Sequence, residues 1–110
     1  MKLLTVPVSK DAIERLDLDA CFDGDLIEVA LSEEEFNELW GTGIFNVLND
    51  QLSVMIDDFE DESISNDKLS DAWVLVKAKL EGMPDCAPLK RLLSQIENAQ
   101  RFNTEIYFYF

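Results

Sequence analysis

Apolar positions along the chain fall into short blocks that switch between a period of two and a period near 3.6. Leu3-Leu4-Thr5-Val6 predicts a short strand, closed by Pro7, which cannot donate to a central ladder. Ser9 is a good N-cap for a short helix that carries Ala12, Ile13 and Leu16 on one side. Asp17 to Asp25 reads as a loop built on Asp and Gly24. Leu26 to Leu31 predicts a second strand. Ser32 followed by Glu35 matches a capping box, so a helix should begin at Glu33, with Phe36, Leu39 and Trp40 on its buried side.

Gly41-Thr42-Gly43 interrupts as a C-cap and turn. Beyond it Ile44, Val47, Leu48, Leu52, Met55, Ile56 and Phe59 fall on one helical stripe, predicting a helix that runs on to Phe59. Asn66-Asp67 opens a further helix with Leu69, Ala72, Trp73, Val76 and Leu80 aligned. Its apolar centre, Ala72 to Val76, marks it as the most buried helix. After the break at Gly82, Pro84 and Asp85, Ala87-Pro88 suits the first turn of a last helix. Leu89, Leu92, Leu93, Ile96 and Ala99 would face inward there, with Lys90, Arg91, Gln95 and Glu97 outward. Thr104 to Phe110 is a strand by propensity, with Ile106, Phe108 and Phe110 on one side and Tyr107 and Tyr109 on the other. An exposed aromatic edge would be sticky, so this strand is expected between or beside the two earlier ones, with a structural role rather than that of an aromatic ligand box. The expected architecture is a single α+β domain over residues 1–110: a small sheet of about three strands (N-terminal, central, C-terminal) packed with four to five helices.

Length and composition fit that picture. A 110-residue chain that is 47% apolar can bury roughly two-thirds of its unfolded surface without a metal or disulfide staple. No apolar run approaches the roughly 18 residues of a spanning helix, and the start turns polar at Ser9-Lys10-Asp11, too early for a signal-peptide core. The expected compartment is the cytoplasm.

Charge changes the picture more. Nine Lys and Arg stand against 23 Asp and Glu, a net charge of −14, and there is no histidine. Phosphate backbones and anionic membranes both call for cations, so neither direct nucleic-acid binding nor membrane docking is expected. Without imidazole, the commonest general base and the Ser-His and Cys-His nucleophile pairs are missing. No catalytic residue, cofactor or metal site is expected, and an enzyme is the least favoured class. The charge is also uneven. Residues 1–15 carry three basic and two acidic groups, and residues 68–110 six and five, while Leu16 to Asp67 holds sixteen acids and no Lys or Arg. Acids without an internal counter-ion must repel one another, pair with the cations of the flanking segments, or meet an external cationic surface.

Asp57, Asp58, Phe59, Glu60, Asp61 and Glu62 form the sharpest feature. Placed directly after a helix, these acids would crowd the negative end of its dipole, where cations are favoured. Local rules broken in this way tend to mark functional sites. Phe59 is either an aromatic anchor ringed by acids or the last core residue of the stripe. Glu34 and Glu38, with Glu33 and Glu35, make a second candidate patch, although acids in a first helical turn also have a structural role. Asp17, Asp19, Asp23 and Asp25 make a third.

Other motifs carry less. Asp19 to Asp25 begins like a calcium-binding EF-hand loop, but Cys21 and Ala30 occupy positions that require oxygen ligands. Cys21 and Cys86 lie far apart, without a C-x-x-C pair. Among 23 acids, any one pair of carboxylates is uninformative.

In size, acidity, lack of catalytic residues and α+β pattern, the whole chain resembles the immunity proteins of bacterial toxin systems. That group includes barstar-like inhibitors, colicin immunity proteins and the partners of contact-dependent inhibition toxins. The resemblance implies neutralisation of a basic cognate toxin, often a nuclease, inside the producing cell; it transfers no individual residue. The alternatives are a DNA mimic that inhibits a nucleic-acid-binding protein, and a non-catalytic domain acidic only for solubility.

Overall fold

The computed structural model describes residues 1–110 as a four-stranded antiparallel sheet with five α-helices. In chain order these are β1 (Lys2–Pro7), α1 (Lys10–Asp17), β2 (Leu26–Leu31), α2 (Glu33–Gly41), α3 (Ile44–Leu52), β3 (Asp61–Ile64), α4 (Leu69–Gly82), α5 (Ala87–Phe102) and β4 (Ile106–Tyr109). The strand order is β2-β1-β4-β3. β4 therefore lies inside the sheet, paired with β1 on one side and β3 on the other.

The local signals explain most boundaries. Ser9 Oγ accepts the Ala12 N–H, and Ser32 and Glu35 form the reciprocal capping box. Gly43 turns the corner between α2 and α3 with φ +82°, a conformation glycine adopts without steric cost. A 3₁₀ turn at Asn66–Lys68 leads into α4, and Pro88 lies in the first turn of α5.

Alternation along the strands splits the sheet into two faces. Leu4, Val6, Ile64, Ile106 and Phe108 are fully buried against the helices, joined by Phe45, Leu48, Leu69, Leu89, Leu92 and Ile96. α5 packs across β1, β2 and β4, and α4 packs on α5. On the opposite face, α1 packs against β1, and the fully buried Ala12 stands apart from the main core. Thr5 points to that side. It is fully buried, and its hydroxyl finds no hydrogen-bond partner. Removing a stranded hydroxyl without changing shape releases its desolvation penalty. Thr5→Val is therefore expected to raise the unfolding free energy by about 1 kcal/mol in chemical denaturation; a loss of similar size would mean that the hydroxyl is satisfied in solution.

Four expectations need correction. The sheet has four strands rather than three, the additional one being β3. The helix after Gly43 ends at Leu52, and Ser53 closes it in the left-handed region at φ 55°. Val54 and Ile56 continue into the core as an extended segment, held by Asn49, whose side chain accepts the Ile56 N–H at 2.7 Å and donates to its carbonyl at 2.9 Å. The acids at 57–62 consequently do not sit on a helix C-terminus. α5 rather than α4 is the most buried helix, because Val74 lies exposed and only Leu69, Ala72 and Val76 of α4 are fully covered. Gln95, expected outside, is 1% exposed and donates to the carbonyls of Leu4 and Ile27, tying α5 to β1 and β2.

Candidate protein-docking site

The segment Ser53 to Glu60 loops from α3 to the edge strand β3 and carries most of the acidic cluster. Its shape comes from its own polar groups. Glu62 accepts the N–H groups of Met55 and Ser63 at 2.8 Å each, which ties the start of the loop to β3. The Phe59 N–H donates to the Phe110 carbonyl at 3.1 Å, and the Phe110 N–H donates to the Glu60 carbonyl at 3.3 Å, extending the β3–β4 pairing by one step. Asp58 Oδ1 also accepts the Phe59 N–H and forms an ion pair with Lys2.

Lys2 is the unexpected member. By alternation it lies on the helix-facing side of β1, and the residue is only 7% exposed. Its ammonium sits 4.4 Å from the Phe36 ring centroid and 5.4 Å from that of Phe59, with the Asp58 carboxylate beside it. A buried ammonium needs a partner. Lys2 finds one anion and two aromatic faces. The only sequence signal for it is a Lys in phase with Leu4 and Val6.

Phe59 is held at φ 63° and is 88% exposed. A bulky residue in the left-handed region costs of order 1–3 kcal/mol and persists only where the surroundings fix it. The stripe that would have buried Phe59 ends at Leu52, so the core reading of this residue is overturned. Met55 is likewise 78% exposed. The exposed Asp57, Glu60 and Asp61 line an open groove of about 520 Å3 together with Met55, and Phe59 protrudes next to Glu60 on the same loop. Asp58 and Glu62 tie the loop to the rest of the fold, and Asp57 accepts the Asp58 N–H at 2.8 Å within it; Asp57, Phe59, Glu60 and Asp61 are exposed.

Glu34 and Glu38 are exposed but lie elsewhere. Phe36 meets the loop through Lys2, and at 100° per residue both glutamates point roughly 200° round α2 from it. Glu38 lines a different groove, with Met83, Pro84 and Asp85. The structure does not bring the two patches together.

Three ion pairs link the acidic middle segment to flanking cations: Asp25 with Arg15, Glu35 with Arg91 and Asp58 with Lys2. Thirteen of the sixteen acids between Leu16 and Asp67 remain without such a partner. Asp25 is the most committed. Arg15 grips it with two hydrogen bonds of 2.7 and 2.8 Å, the Phe22 N–H adds a third, and together they hold its carboxyl at about 2. The third acidic patch is thus partly spent on its own loop. Cys21 is exposed and Cys86 buried, both as free thiols.

A carboxyl depressed on folding stabilises the native state above its unfolded value of roughly 3.9, and that contribution fades as pH falls toward the folded value. Glu35, held low chiefly by the Ser32 N–H, acts in the same sense. Asp25→Asn should therefore melt below the parent at pH 7, with the gap narrowing between pH 4 and pH 2. Thermal melts across that window check it; a gap independent of pH would mean that the carboxylate's charge is not the source.

Comparison of the chain with protein-family models, with curated proteins and with solved structures finds no match in any of the three. No helix is long and apolar enough to cross a membrane.

Proposed function

We propose that this chain is a non-catalytic, acidic inhibitor that docks on a basic protein and covers its cationic cleft, in the manner of the immunity proteins it resembles, within the cytoplasm of the producing cell. The observation that carries this reading is Phe59: an aromatic side chain 88% exposed, fixed in a strained backbone conformation, on a loop where Asp57, Glu60 and Asp61 have no counter-ion and only Asp58 is paired, with Lys2. A rigid aromatic anchor inside a polar rim is the arrangement of an interface hot spot. The net charge of −14 would draw a cationic partner in, raising the association rate by roughly 10–10³ at low salt. A nuclease cleft, built to hold phosphates, is the natural target. Against the DNA-mimic alternative, a phosphate surrogate has no use for a protruding phenyl ring.

The test is a matched capture from the native host at low salt. The wild-type chain and an Asp57→Asn/Glu60→Gln/Asp61→Asn variant serve as baits, and retained proteins are identified by mass spectrometry. This triple spares Asp58 and Glu62, and the amide oxygen that Asp57→Asn introduces still accepts the Asp58 N–H, so the loop keeps its ties. The expected result is a basic protein held by the wild type and lost with the variant, whose activity the chain blocks at one-to-one stoichiometry. Equal retention by both baits, no basic protein on either, or a captured protein whose activity is unaffected would overturn the reading.

A further inference from the structure

The anionic surface does not end at the loop. Asp61 is exposed and, by register, lies beside Tyr109 on the sheet face opposite the helices. That face carries two cross-strand rows, Ala30-Leu3-Tyr109-Asp61 and Glu28-Thr5-Tyr107-Ser63. α1 covers the β1 part, where Thr5 is fully buried, whereas Glu28, Ala30 and Asp61 are exposed and both tyrosines stay partly so. The tyrosine rings lie nearly parallel, 13° apart, with centroids 5.9 Å from one another. Asp17, Glu28, Asp61 and Glu105 take part in no ion pair. Their field reaches the rings: burial, Glu105 and Asp17 raise the Tyr107 phenol, and burial, Asp61, Asp17 and Glu28 raise that of Tyr109. Burial is the larger cause and opposes any charge, but the carboxylates' share is a field that favours a cation in the same place.

We infer that the open sheet face centred on Tyr107 and Tyr109, with Asp17, Glu28, Asp61 and Glu105 around it, is a second part of the docking surface and takes arginine side chains of the basic partner. The inference rests on the inhibitor reading and extends it from the Phe59 loop across Asp61 onto the sheet. Charge complementarity selects a cation. The tyrosine faces favour arginine over lysine, because at a partly exposed site a weakly hydrated planar guanidinium can lie flat on a ring and meet a carboxylate in its own plane, whereas an ammonium must first give up a tighter hydration shell, as the buried Lys2 has done. The sequence hides this site because Tyr107 and Tyr109 read as the outer side of a core strand, and the acids come from α1, β2, β3 and the connection before β4.

The probes are deca-arginine and deca-lysine peptides, titrated into the isotope-labelled full chain and followed by NMR shifts of backbone amides and tyrosine ring protons. The expected result is tighter binding of deca-arginine by about two- to fivefold, the worth of an exposed cation–π contact. The largest shifts should fall at Tyr107, Tyr109, Asp61 and Glu28. A Tyr107→Leu/Tyr109→Leu variant, which keeps apolar residues on the strand, should bind both peptides alike. Equal affinities for the wild type, or an arginine preference that survives the double substitution, would overturn the inference. Shifts centred on Asp57 to Glu60 that bypass the tyrosines would overturn it while sparing the inhibitor reading. Shifts confined to Glu34 and Glu38 would remove both.

Discussion

Phe108→Ala is expected to destabilise the fold by about 3–5 kcal/mol, a large part of the 5–15 kcal/mol that holds a domain of this size together. Phe108 is fully buried in the middle of β4, itself paired on both sides. Its ring meets Phe45 and Phe110 edge-on, with centroids 6.1 and 5.7 Å away. Truncation would open a cavity where the sheet meets the helical layer, and neighbours anchored in separate elements cannot collapse into it. Denaturant unfolding should show the midpoint falling steeply with little change in slope. The adjacent Tyr109→Ala, on the open face, should cost no more than about 1 kcal/mol. Comparable losses for the two would contradict the two-faced character of β4.

That contrast was legible in the sequence, because Ile106, Phe108 and Phe110 alternate with Tyr107 and Tyr109. So were the helices with explicit punctuation: Ser9, the Ser32–Glu35 box, the Gly41–Gly43 break and Pro88. β3 was not. Asp61-Glu62-Ser63 has low strand propensity, and its pairing is supplied by β4, more than forty residues away. The end of α3 was hidden because Leu52, Val54 and Ile56 suit an extended segment while Leu52, Met55 and Ile56 suit a helix; Asn49, bonding the Ile56 backbone, decides between them. Gln95 and Lys2 escaped for the same reason: their polar ends are satisfied by carbonyls, rings and a carboxylate distant in the chain.

The candidate site shows the same division between local and distant information. A count of charges along the chain marks residues 57–62, and the placement of Phe59 among them suggests an anchor. Which acids are tied down depends on partners outside the cluster's own side chains: the Met55 and Ser63 N–H groups hold Glu62, and Lys2 with the Phe59 N–H holds Asp58, whereas Asp57 accepts only the next residue's N–H and stays exposed with Glu60 and Asp61. Glu34 and Glu38 show the limit of composition: equal in charge and exposure, they face another way.

Phe59→Gly separates stability from binding. In the left-handed region an L side chain costs about 1–2 kcal/mol. Glycine avoids that cost but gives up about 0.5–1 kcal/mol through the entropy of the unfolded chain. Loss of the Phe59 face from Lys2 offsets about as much again. The net change in unfolding free energy should stay within about 1 kcal/mol, while affinity for the captured partner should fall at least about 30-fold, the loss of a 2 kcal/mol hot spot. Phe59→Ala should lose the same affinity but keep the backbone strain, so Phe59→Gly should be at least as stable as Phe59→Ala. Calorimetric titration and denaturant melts on the two variants check both statements. If Phe59→Gly binds like the parent, the exposed ring is no anchor. If it unfolds the chain, the loop supports the core rather than an interface.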